Sequence, residues 1–240
     1  MARTETGASL TRQHRSRQLA VRSETVREFM EVWPVWTPGD PRSFDTLVDA
    51  TLPLVELRRR TSAGVASDYY RAFRTAEGVG GEATPRLGDS VERDRVAASL
   101  YATGQAQHRR SVAAGFSSQA ARQNTLVTVT GAVARHVLDG GRETLLRSTA
   151  ADGRTEGWQR VTAGEACSFC LMLASRGAVY GEDTADFQSH DHCVCSAEPR
   201  YSGSQMPEES RRARDLWRET TRGLSGDEAR NAFRRAVEAA

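Results

Sequence analysis

All four cysteines of this chain fall between positions 167 and 195, and two of its five histidines sit beside the second pair. The run reads Cys167-Ser168-Phe169-Cys170, then a spacer, then His190-Asp191-His192-Cys193-Val194-Cys195. A C-x-x-C pair that opens a helix can place both sulfurs on one side, near enough to share a tetrahedral ion. In an extended Cys-x-Cys, both thiols point to the same face, because side-chain direction repeats every two residues. Either histidine would add an imidazole. Four N/S donors, no redox chemistry and no geometric demand beyond tetrahedral fit zinc best. The donors outnumber four positions: Cys167, Cys170, His190 and Cys193 form the preferred set, Cys195 comes next, and His192 is held in reserve. Two disulfides are the competing reading and leave the histidines unexplained. Four buried free thiols are the other.

A metal held here reads as structural. Apparent binding energies of about 10–16 kcal/mol for structural zinc exceed the roughly 2–4 kcal/mol of a disulfide, and so short a segment needs such a staple. A zinc deaminase requires H-x-E before its cysteine pair, and no histidine here is followed by x-Glu. Glu165 and Glu198 flank the cysteines without making a catalytic pattern. H-E-x-x-H, G-x-S-x-G and a phosphate-binding G-x-x-x-x-G-K-[ST] loop are all absent. His14, His108 and His136 lie in helical stretches and read as ordinary surface or core histidines. A Ser/His pair assembled by folding stays open.

Outside this segment the pattern is helical. Residues 8–30 read as one helix with sparse apolar positions, ended by Trp33, Pro34 and Trp36. Asp40 caps a second helix, with Pro41 in its first turn, that runs to about Ala76; Pro53 is expected to end or kink it near Leu52. Gly78–Gly88 is a loop. Asp89-Ser90-Val91-Glu92 has capping-box spacing and opens a third helix to about Ala114. A fourth covers Ser117–Leu138, although its β-branched cluster would also suit a strand. Trp158–Val161 reads as a short strand. Tyr201–Met206 is a linker to a helix from Pro207, and Ser225-Gly226-Asp227-Glu228 caps a last one. The expected fold is mainly α: a helical region over 1–150, a small α+β metal-stapled module over 155–201, and two terminal helices over 206–240.

Hydrophobic residues at 38% and charged residues at 27% exclude a wholly disordered chain. The net charge of +2 does not call for nucleic acid or a membrane surface. All 33 basic residues are arginine, which reads first as coding bias in a GC-rich genome. No apolar run approaches the roughly 18 residues of a membrane span, and residues 1–22 lack the apolar stretch of a signal peptide. A reducing cytoplasm is therefore the expected site of synthesis.

The stretch Trp158-x-Arg160-Val161, Ala166-Cys167-Ser168-Phe169-Cys170, Leu173–Gly177, Val179-Tyr180, His190-x-x-Cys193-x-Cys195 and Pro199 resembles the MuF-like minor head proteins of tailed phages. The version carried by phages and prophages of actinobacteria is the one it looks like. The family pattern carries over to Cys167, Cys170, Gly177, His190, Cys193 and Cys195; His192 matches only the actinobacterial variant. The resemblance spans residues 158–199. It implies a virion component inside the phage head, in host cytoplasm during assembly, with the portal or the major capsid protein as partner. It implies neither a small-molecule substrate nor a membrane, and no catalysis. Some such proteins accompany packaged DNA, which Arg12, Arg15, Arg17 and Arg22 could contact through phosphates without sequence preference. A capsid maturation protease and a cytoplasmic zinc-knuckle nucleic-acid binder are the alternatives.

Overall fold

The computed structural model describes residues 2, 4–162, 166–177 and 187–239. Within them the fold is mainly helical, with one two-stranded sheet toward the C-terminus. Helix α1 (Glu5–Val32) starts a turn before the apolar pattern does, because the Thr4 hydroxyl accepts from the Gly7 amide and caps it. It ends in a 3₁₀ turn, Trp33–Val35, where Phe29, Trp33 and Trp36 pack ring against ring.

Helix α2 (Pro41–Ala76) is capped by Asp40 and runs straight through Pro53, contrary to the expected break. Pro53 is exposed, and so is Asp49, whose carbonyl loses its donor to the ring. Leu47, Val48, Thr51 and Val55 are buried on the other side of the helix, so packing on both flanks overrides a local penalty of about 3 kcal/mol.

The third helical rod begins at Arg93, not at the Asp89 capping box. Asp89 is spent elsewhere: its carboxylate pairs with Arg147 and its carbonyl accepts from Arg59 Nε at 2.6 Å. The rod comprises α3 (Arg93–Leu100), a π turn (Tyr101–Gln105) and α4 (Ala106–Ala113).

Helix α5 (Ser118–Ala151) takes up the β-branched cluster as helix and continues well past Leu138. It does so through Gly140-Gly141, which lie against α2. A Cβ on Gly140 would meet the Arg59 backbone oxygen at 2.6 Å, and one on Gly141 would meet Ser62 Oγ at 2.7 Å. These glycines are there for close approach of two helices, not to end one. Along the α2–α5 seam and α1, one core gathers Val55, Val65, Val129, Val133 and Val137 with Phe29 and Trp36.

Strands β1 (Trp158–Val161) and β2 (Ser196–Pro199) pair antiparallel, Trp158 opposite Pro199 and Val161 opposite Ser196. Trp158, Ala197 and Tyr201 share a core with Tyr69, Tyr70 and Phe73 of α2 and Leu145 of α5. The sheet therefore closes on the helices. Helix α6 (Ser168–Ser175) packs through Met172 and Leu173 on α7 (Glu208–Thr220) and α8 (Gly226–Glu238), which contribute Ala213 and Phe233. Among the described residues no helix is long and apolar enough to cross a membrane.

Candidate metal centre

The sequence brings the donors together from two directions. Cys167 is the N-cap of α6, its Sγ accepting from the Cys170 amide at 3.5 Å, so both sulfurs of the pair sit at the helix mouth. On the other side, the His190 carbonyl accepts from the Cys193 amide at 3.0 Å, turning the chain back toward β2. His192 holds the corner with φ 66°, the left-handed conformation. Beyond it Cys193 and Cys195 are both buried, with the half-buried Val194 between them.

Two triads result, and Cys170 belongs to both. Cys167, Cys170 and His190 have their ligand atoms within 4.8 Å of one another, as do Cys170, Cys193 and Cys195. His190 Nε2 stands 3.0 Å from Cys167 Sγ and 3.3 Å from Cys170 Sγ, and the Cys170 and Cys193 sulfurs are 3.5 Å apart. Zinc bonds of about 2.3 Å to sulfur and 2.0–2.1 Å to nitrogen give tetrahedral edges of about 3.8 Å between sulfurs and 3.5 Å between sulfur and nitrogen. Small outward shifts would admit such an ion, so the donor set fits. No disulfide joins the four cysteines in this arrangement.

The structure thus assembles the five expected residues Cys167, Cys170, His190, Cys193 and Cys195 and leaves His192 out. The exposed His192 ring instead lies over Gly131 of α5, where a Cβ would stand 2.5 Å from its Nε2. Val179, Tyr180 and Glu165, which the sequence also singled out, lie outside the described residues.

Charge is unevenly shared among the sulfurs. Hydrogen bonding with Cys193 and Cys195, together with burial, pushes the Cys170 thiol up. Cys193 is pulled well below the usual thiol range by hydrogen bonds from Cys170 and Cys195, with help from the Arg142 guanidinium. Cys195 is pulled down by Cys170, but its bond to Cys193, burial and the Cys193 charge outweigh this and leave it at about 11.

What holds the Cys/His turn in place was not visible in the sequence. One stripe of α5 does it, at positions 131, 135, 139 and 142, the three-and-four spacing of a helix face. Gly131 makes room for His192, and Arg135 Nε donates to Asp191 at 2.9 Å. Asp139 accepts from Ser189 at 2.9 Å and from Arg142 at 2.7 Å. Buried Arg142 then donates to the carbonyls of Cys193 and Cys195, at 2.6 and 3.1 Å. From the sheet, Arg160 lies 3.8 Å over the Phe187 ring, which stacks on Trp158. The only sequence signal for the stripe is a set of charged residues inside an apolar helix, and their partners on the turn are 50 to 56 positions away.

Helix α1 meets the other face of the hairpin. Glu198 accepts from Thr11 at 2.6 Å and from Gln159 at 2.8 Å, and the Thr162 carbonyl accepts from Arg15 at 2.9 Å. The four N-terminal arginines consequently do not share a face. Arg15 is engaged with the sheet, exposed Arg17 pairs with Asp68 of α2 at 3.4 Å, and Arg12 is exposed. His14 and His136 are core residues, and burial depresses their pKa values to about 3 and about 4.

Fold and site together define a helical bundle that carries a Cys/His centre on the flank of α5. The model of the VG15 protein family matches residues 5–220. The chain belongs to that family, a family of phage proteins, and the matched region takes in both the bundle and the centre. No curated protein and no solved structure matches the chain.

Proposed function

We propose that this phage protein is a structural minor head protein of a tailed double-stranded DNA phage, acting in head morphogenesis near the portal. In this reading the Cys/His centre binds zinc, and the metal holds the turn and α6 against α5. The observation that carries it is the convergence of five Cys/His donors, from a segment that resembles the MuF-like proteins, inside a phage family spanning residues 5–220. The portal or the major capsid protein is the proposed partner, with sequence-independent DNA contact secondary, since Arg15 is turned inward.

The test is quantitative mass spectrometry of purified particles, alongside zinc analysis of the purified chain. An intact chain, present in far fewer copies than the capsid protein and carrying about one zinc, is the expected result. A chain absent from particles although expressed during infection would overturn the virion reading, and a metal-free folded chain would overturn the zinc.

One observation bears on the protease alternative. Ser196 Oγ lies 3.1 Å from His14 Nε2, the only Ser–His side-chain bond among the described residues. Yet no carboxylate among the described residues pairs with His14, whose other polar neighbour is the Val65 backbone, and the ring is buried and stacked on Tyr69 at 4.4 Å. A catalytic histidine needs an acceptor that fixes its tautomer and stabilises its cation. We read this pair as packing between α1 and the sheet. Labelling of Ser196 by a serine-reactive probe would reverse that judgement.

A further inference from the structure

Resting on the reading of the centre as a zinc site, we propose that it holds the ion as a singly negative complex of three thiolates and one imidazole, with Arg160 as the balancing cation. Arg160 is 2% exposed, and among the described residues no carboxylate pairs with it. Over the Phe187 ring, its Nη2 donates to the Gln188 carbonyl at 2.6 Å, while Nε and Nη1 have no hydrogen-bond partner among the described residues. A guanidinium buried in this way is costly unless a negative charge lies close by.

Arg142 pairs with Asp139 at 2.7 Å and Arg135 with Asp191 at 2.9 Å, which leaves Arg160 as the guanidinium beside the centre that has no carboxylate among the described residues. The hairpin register aims it at the centre. Arg160 stands opposite Ala197, and Cys195, two residues before Ala197, falls on the same face at the diagonal position. A divalent ion with three thiolates and a neutral imidazole carries a charge of −1, which matches the single charge of Arg160. Four thiolates would leave −1 uncompensated, and two thiolates with two imidazoles would leave Arg160 unpaired. The imidazole is His190: its Nδ1 donates to the Asp191 carbonyl at 2.6 Å, which leaves the Nε2 lone pair facing the sulfurs of Cys167 and Cys170.

The full chain loaded with zinc alone supplies the test. X-ray absorption at the zinc edge counts its sulfur and nitrogen ligands, and a chromophoric chelator follows zinc release from the parent, Arg160→Gln and Arg160→Lys. The expected results are three sulfurs and one nitrogen around the zinc, release about tenfold faster from Arg160→Gln, and near-parental release from Arg160→Lys, since an adjacent opposite charge is worth about one power of ten in such an equilibrium. Release from Arg160→Gln at the parental rate, or four sulfurs around the zinc, would overturn the proposal while leaving the zinc site standing. A parent that takes up no zinc would instead overturn the metal reading beneath it. The ligand count is made on the parent chain and decides the stoichiometry even where Arg160→Gln folds poorly.

Discussion

Three helical glycines differ only in what stands opposite them, and replacing each by alanine should move stability in three different ways. Alanine is favoured over glycine in a helix interior by about 1 kcal/mol. At Gly64 of α2 nothing lies within 4 Å of the new Cβ, so Gly64→Ala should stabilise by close to that full amount. At Gly131 the new Cβ would meet the His192 ring at 2.5–2.8 Å, but that ring is exposed and can swing off. Gly131→Ala should therefore be near neutral overall while it detaches His192 from α5. At Gly140 the obstacle is Arg59, whose Cγ and backbone oxygen would stand at 2.5 and 2.6 Å. That backbone belongs to α2 and cannot step aside without separating the two helices. Separation also strains the Arg59 bonds to the Asp89 and His136 carbonyls, at 2.6 and 2.7 Å. Overpacking of this kind costs about 1–3 kcal/mol, here toward the upper end, so a net loss of about 2 kcal/mol is expected. Urea unfolding followed by circular dichroism reads all three. With a slope of roughly 3 kcal/mol per molar, Gly140→Ala and Gly64→Ala should differ by about 1 M in midpoint. If both shift the midpoint upward, glycine is not required for the α2–α5 approach and the reasoning fails.

Arg142→Met keeps an apolar stem but leaves the Cys193 and Cys195 carbonyls without their donor and removes one of Asp139's two partners, which should cost about 3–5 kcal/mol. Hydrogen exchange should show amides 190–195 losing protection; full protection would remove Arg142 from its role. Cys170 belongs to both triads and Cys167 to one, so Cys170→Ser should weaken zinc binding far more than Cys167→Ser. A competition titration giving the reverse order would contradict the shared-sulfur geometry. Burial lowers the His136 pKa from 6.5 to about 4, so between those values the unfolded chain binds the extra proton and stability falls as the pH drops. His136→Leu should make that acid slope shallower in pH-dependent melts, and an unchanged slope would refute it.

The helices were legible because period, caps and breakers agree over most of their length. The exceptions share a cause, which is that partners distant in sequence decide the outcome. Pro53 does not break α2 because both flanks are buried, and Gly140-Gly141 do not end α5 because another backbone needs their space. Asp89 has the spacing of a cap but is taken by Arg147 and Arg59. The donors of the centre could be read because their ligand spacing is local. Choosing between the two histidines could not, since the left-handed φ of His192 turns its ring toward Gly131 and away from the sulfurs.

That turn toward α5 explains why the centre sits where it does. The strands have four residues each and α6 has eight, too little for either to be stable alone. A metal can fix the two chain segments to each other, but it cannot fix them to the rest of the molecule. Arg135, Asp139 and Arg142 do the second task with side-chain bonds to Asp191, Ser189, Cys193 and Cys195, while Gly131 makes room for His192. Arg142 joins the two tasks, because the carbonyls it holds belong to residues whose sulfurs face Cys170. Losing the metal should therefore loosen the turn without melting α5, whereas losing Arg142 should loosen the turn and its grip on metal together. The order of events under a chelator, with thiols exposed before helix is lost, follows from that arrangement.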